Sequence, residues 1–108
     1  MKSKIETYLG FCVRARKIAF GVDEASKQKK CALLLVDEGL GESSLKEMKK
    51  AWERLQCPML LVEKDCLGEL LHRIGVKAVA IKDKNLASAI LSVAENEPQF
   101  KLYSGGNN

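Results

Sequence analysis

Ile5, Tyr8, Leu9, Cys12 and Val13 recur at intervals of three, one, three and one, the single apolar stripe of an amphipathic helix over about residues 3–16. Ile18, Ala19 and Phe20 then form a short apolar patch of β character. Gly21 follows, a residue able to take positive φ where the chain must turn sharply. A short helix begins near Val22, with Asp23 and Glu24 in its first turn and Lys27, Lys29 and Lys30 towards its end. These charges have the signs that the helix dipole favours at its two termini.

Cys31 to Asp37 is continuously apolar up to its last residue, and its length suits a strand buried on both faces. Helices must then cover both sides of the sheet. After the turn-rich Glu38-Gly39-Leu40-Gly41, the stretch Ser44-Leu45-Lys46-Glu47 has the spacing of a capping box and opens a helix through Leu45, Met48, Trp52 and Leu55. Cys57-Pro58 ends that helix, and Met59 to Glu63 reads as a second buried strand. Asp65 can cap a helix from Cys66 to Ile74, Ala78 to Lys82 reads as a third strand, and Asp83 caps a last helix with Leu86, Ile90 and Val93 as its inner stripe. Helices alternating with short apolar strands across brief connections predict an α/β fold, a three-layer α/β/α sandwich with a mixed sheet of about four strands. The expected organisation is one domain over residues 1–95 followed by a flexible tail over 96–108, where the text turns polar and ends Ser-Gly-Gly-Asn-Asn. Strand order is not legible at this level.

Length agrees with one domain: 108 residues, 46% apolar and 30% charged, leave room for one core and not for a two-domain enzyme. The net charge of +4 is modest, but its distribution is not. Residues 1–30 carry eight basic and three acidic side chains, whereas the rest of the chain carries one more acid than base. Clustered cations are what a polyanion-binding face requires, although a solvated basic helix face would read the same way. Cys12, Cys31, Cys57 and Cys66 form no C-x-x-C pair and no zinc-ligand spacing, so no metal or cofactor is expected. Without a signal-like or bilayer-length apolar segment, the expectation is a reduced, cytoplasmic protein with no membrane partner.

Catalysis requires convergent groups, and few are found. His72 is the only histidine and lies in an amphipathic stretch, where a half-exposed helix residue is its plainest role. There is no G-x-S-x-G elbow and no phosphate-cradling glycine loop. One acidic constellation remains, with Asp37 and Glu38 ending one strand, Glu63 and Asp65 flanking the end of another and Lys82 ending a third. Gathered at strand ends, such groups resemble the phosphoacceptor site of a receiver domain, and that reading is kept as an alternative.

A second constellation is Arg14, Arg16 and Lys17, then Gly21, Asp23, Glu24 and Lys27. Asp23 and Lys27 are four apart and share one helix face, with Glu24 at its side. Carboxylates accept from base amino and imino groups, a lysine donates to guanine O6 and N7, and arginines hold the backbone. Together they could read a distorted base pair; the same charges could also be only a dipole-matched helix with an i,i+4 ion pair.

Leu9-Gly10-Phe11-Cys12-Val13-Arg14-Ala15-Arg16-Lys17, followed by Gly21-Val22-Asp23-Glu24 and Lys27, resembles the bacterial YlxQ-like members of the ribosomal large-subunit L-seven-Ae/L-thirty-e family. Further along, Leu33 to Glu38, Cys57-Pro58, Cys66-Leu67-Gly68-Glu69-Leu70 and Val79-Ala80-Ile81-Lys82-Asp83 are similar to later family segments in consistent order, from about residue 5 to residue 94. The resemblance implies a non-catalytic protein that binds kink-turn or related structured RNA, ribosomal or other, and no small-molecule substrate. It implies Gly21 as the turn, Glu24 and Asp23 at base edges, Lys27 on a base or phosphate, and Arg14, Arg16 and Lys17 on the RNA backbone. A second loop, here Glu63 to Leu67, would cover an extruded base. Asp23 stands where the family has asparagine and so accepts hydrogen bonds without donating them. The helix after Gly21 is also about one turn shorter than is usual in the family. A protein adaptor that kept the fold without RNA affinity is the remaining alternative, and Asp23 is the residue that favours it.

Overall fold

In the computed structural model, which describes residues 3–105, the unbroken apolar runs become the interior of a five-stranded sheet. The elements in chain order are α1 (Lys4–Arg14), β1 (Ile18–Phe20), α2 (Gly21–Ser26), β2 (Leu33–Asp37), α3 (Glu42–Leu55), β3 (Met59–Val62), α4 (Cys66–Leu71), β4 (Ala78–Ile81), α5 (Lys84–Ala94) and β5 (Phe100–Leu102). The strand order is β1-β4-β2-β3-β5. Only β2 and β3 run parallel; β1 with β4, β2 with β4 and β3 with β5 are antiparallel. β2 and β4 occupy the middle and are buried at every position, which is why neither shows the polar alternation of a half-exposed strand.

Alternation along each strand divides the core into two halves. Leu33, Leu35, Leu60, Val62, Val79 and Ile81 face α1, α4 and α5, where Ile5, Leu9, Leu67 and Ile90 meet them. On the other face Leu34, Val36, Met59, Ala78 and Ala80 meet Ala25 of α2 with Met48 and Ala51 of α3. The result is an α/β/α sandwich. β4 presents only methyl groups on this second face, so the short helix α2 can lie close against it with Ala25 fully buried.

Several boundaries differ from the sequence expectation. β2 starts at Leu33, not Cys31, and α3 starts at Glu42 behind Gly41, so Ser44 lies inside the helix and does not cap it. α4 ends at Leu71, because His72 takes a left-handed φ of 56° and its Nε2 pairs with the Glu6 carboxylate of α1. Asp83 does cap α5, accepting from the Leu86 N–H at 2.9 Å.

The expected flexible tail over 96–108 is corrected in its first part, and the sheet has five strands where about four were expected. β5 pairs with β3 in the register Val62↔Phe100 and Leu60↔Leu102, and Phe100 is 6% exposed. Beyond it the Tyr103 ring meets Trp52 of α3 edge-on at 4.8 Å. The remainder of the expected tail, residues 106–108, lies outside the described residues. No helix among the described residues is long and apolar enough to cross a membrane.

Candidate nucleic-acid interface

β1 has only three residues, and the segments on its two sides emerge at opposite ends of the sheet. Ile18 faces Ile81 and Phe20 faces Val79, so Lys17 leaves beside Lys82 and Gly21 leaves beside the approach to β4. Arg14, Arg16 and Lys17 are all exposed at the first end. Arg14 lies over the ring of Phe11, itself 43% exposed, at 5.1 Å. Arg16 takes a left-handed φ of 57° to turn the chain from α1 into β1, and the Lys82 N–H donates to the Lys17 carbonyl at 2.8 Å.

α2 then runs back along β4, and the Ala32 N–H donates to the Ile81 carbonyl at 2.8 Å as the chain joins β2. The exposed residues Lys27, Lys29 and Lys30 therefore approach the same end as Lys17 and Lys82. The backbone thus carries six exposed cations that are separated in sequence, Arg16, Lys17, Lys27, Lys29, Lys30 and Lys82, towards one end of the sheet. Lys27 is the C-cap of α2 and not a residue of its face towards Gly21, because α2 ends at Ser26.

The opposite end holds the bend. Gly21 has φ +88°, which L side chains rarely adopt, although a Cβ there would touch nothing. Its requirement is conformational and not steric, so Gly21→Ala is expected to lower unfolding free energy by about 1–2 kcal/mol in urea titrations. Asp23 and Glu24 are exposed in the first turn, with no side-chain cap on the helix. Sequence reading placed the cations and the bend on a single lip; the structure separates them by the length of β1, about 10 Å.

Two residues just after α4 escaped sequence reading. The Arg73 guanidinium lies over the Phe20 ring at 4.2 Å, and the adjacent Ile74 is 99% exposed. The early stop of α4 produces both: Ile74 reads as an inner residue only if the helix continues to it. Its exposure follows from the left-handed His72. No periodicity in the text signals that break.

The acidic constellation is also rearranged. Asp37 is 1% exposed, and its Oδ1 accepts from the N–H groups of Gly39 (2.7 Å) and Asp65 (3.0 Å), its Oδ2 from Leu67 (3.2 Å). This carboxylate ties the end of β2 to the start of α4. Asp65 itself has a left-handed φ of 67° and makes no side-chain cap; its Oδ1 accepts from Lys77 Nζ at 3.3 Å. Lys82 lies beyond Ile81, opposite the start of β2, whereas Asp37 ends that strand. The two are about 16 Å apart along the strand direction. The proposed acid–lysine convergence does not form. Among the described residues no group of three or more His, Cys, Asp or Glu is arranged to hold a metal ion.

No protein-family model matches the chain, and no curated protein matches it. A solved structure of a Bacillus halodurans protein of unknown function is similar to it, with a TM-score of 0.76. That likeness covers 85% of this chain and 97% of the other, at 19% sequence identity. It shows a shared fold. The arrangement of cations at one sheet end and bend at the other belongs to this chain's own residues.

Proposed function

We propose that this chain is a cytoplasmic, non-catalytic RNA-binding protein of the kink-turn-binding ribosomal type, gripping a folded segment of structured RNA. One observation carries the reading: the Gly21 bend, with the exposed acceptors Asp23 and Glu24, directly follows Phe20, on whose ring the Arg73 guanidinium stacks, and the residue after Arg73 is a fully exposed isoleucine. Acceptors select base edges, while a planar cation and an exposed apolar side chain suit the face of an unstacked base. The cationic rim at the other sheet end would hold the flanking phosphates, with Arg14 at its margin. Base reading and backbone holding are then divided between the two ends of α2.

Binding is tested by titrating labelled kink-turn RNA and a control duplex. With on the order of five phosphates neutralised, log affinity should fall against log salt with a slope of about −4. Arg16→Ala combined with Lys27→Ala should flatten that slope by about two and weaken binding to both RNAs. Ile74→Ala should weaken the kink-turn complex and spare the duplex. Failure to bind either RNA at low salt would reject the reading and favour the adaptor, which predicts a protein partner in its place.

A further inference from the structure

β5 is the outermost strand on the side of the sheet away from β1. The Glu63 N–H donates to the Gln99 carbonyl and the Tyr103 N–H to the Met59 carbonyl, each at 2.8 Å. Polar groups alternate along an antiparallel ladder, so Gln99, Lys101 and Tyr103 turn theirs towards β3, while Phe100 and Leu102 turn theirs outward. The Phe100 N–H is taken by the Glu97 carbonyl at 3.2 Å. The Phe100 carbonyl and both backbone groups of Leu102 have no partner among the described residues.

The side chains at this edge are open as well. Leu102 shares a face with Phe100, yet it is 64% exposed where Phe100 is buried. It lines a groove of about 410 Å³ together with Leu60, Leu91, Ala94 and Phe100, with Glu95 beside them. Free backbone donors and acceptors next to an exposed apolar side chain are what another extended strand can cover.

We propose that β5 pairs with β5 of a second copy of this chain, antiparallel about a two-fold axis at Leu102, so that two five-stranded sheets become one. The same surface then serves both copies, and the contact is closed at that edge.

Charge selects both the occupant and the register. A two-fold axis can complete the outward ladder at Lys101 or at Leu102. The first sets Lys101 directly opposite the partner's Lys101, a like-charge pair that opposes association. The second sets Lys101 opposite the partner's Tyr103, an aromatic ring suited to a cation. Within one chain that ring already receives a lysine, with Lys49 Nζ 5.4 Å from its centroid. The Leu102 axis also brings the two exposed leucines side by side, next to the two grooves. The strand is thus its own complement.

A contact confined to one three-residue strand and its groove is smaller than the about 800 Å² per partner of a stable complex, so the dimer is weak and concentration-dependent. β5 and β1 are opposite edges of the sheet. Pairing at β5 therefore leaves the Gly21 bend open in both copies and stands whether or not the chain binds RNA.

Sedimentation velocity of the RNA-free chain at rising concentration tests the proposal. The average mass should climb towards twice that of one chain, and Leu102→Asp should hold it at one copy. Leu102→Pro should do the same with the sheet intact, because the N–H it removes points away from β3. Under mild oxidation Leu102→Cys should give a dimer bridged between the two 102 positions, since a hydrogen-bonded antiparallel pair stands about 5.5 Å apart, within disulfide reach. Lys101→Cys should not, because that axis leaves the two 101 positions out of register. A mass fixed at one copy, a dimer that survives Leu102→Asp, or bridging at 101 in place of 102 would each overturn the proposal. Leu102→Asp changes an exposed side chain and decides alone if the proline variant does not fold.

Discussion

Asp37→Ala is expected to lower the unfolding free energy by about 3–5 kcal/mol, the scale of removing one partner from a buried charged network. The carboxylate is almost fully enclosed and accepts three backbone N–H bonds, from Gly39, Asp65 and Leu67. Alanine leaves these donors without their acceptor, and an enclosed donor that has lost its partner costs about 1–3 kcal/mol. A Cβ on neighbouring Gly39 would come 3.0 Å from the Asp37 oxygen and 3.2 Å from Lys64 Cγ, so little space remains for a rearranged loop. Asp37→Asn should recover part of the loss, because one amide oxygen remains while the NH₂ group faces another donor. Urea unfolding curves check this. Asp65→Ala, which removes an exposed carboxylate paired with Lys77, should cost less than about 1 kcal/mol. Equal effects at the two positions would contradict a structural role specific to Asp37.

Phe100→Ala should cost about 3–5 kcal/mol, the range for removing a buried aromatic side chain. Phe100 is 6% exposed and joins the cluster formed by Leu60, Val62, Ala94 and their neighbours, while its backbone pairs with Val62. Lys101 is exposed on the same strand, so Lys101→Ala should stay within about 0.5 kcal/mol of the parent. The contrast between adjacent positions separates a packed strand from a loosely held tail. Denaturation midpoints of the two variants measure it.

Legibility of the fold followed the length of each apolar run. β2 and β4 are buried on both faces, so Leu33 to Val36 and Ala78 to Ile81 stand out against any neighbouring text. β5 has one inward residue between polar neighbours, and a period cannot be read from a single buried position. Helix ends were the other blind spot. Ser44 and Glu47 have capping-box spacing, yet α3 begins two residues ahead of Ser44. At the candidate interface Gly21, Asp23, Glu24 and the basic residues were recognisable as types. Their division between two sheet ends was not, since it depends on β4 pairing antiparallel to both β1 and β2. Arg73 and Ile74 were hidden because a left-handed His72 is a tertiary outcome, secured by Glu6 in α1.

The pairing of Ile18 with Ile81 also bears on how the chain reaches this state. Among the described residues β1 has one sheet neighbour, β4, about sixty residues downstream, so ribosomal synthesis delivers the first strand long before its partner exists. β2 and β3, by contrast, can meet as soon as the helix between them emerges. Closure of the β1 edge must wait for distant residues, which puts the loop-closure entropy of that contact late in assembly and leaves the N-terminal quarter of the nascent polypeptide without a sheet partner until β4 has been made.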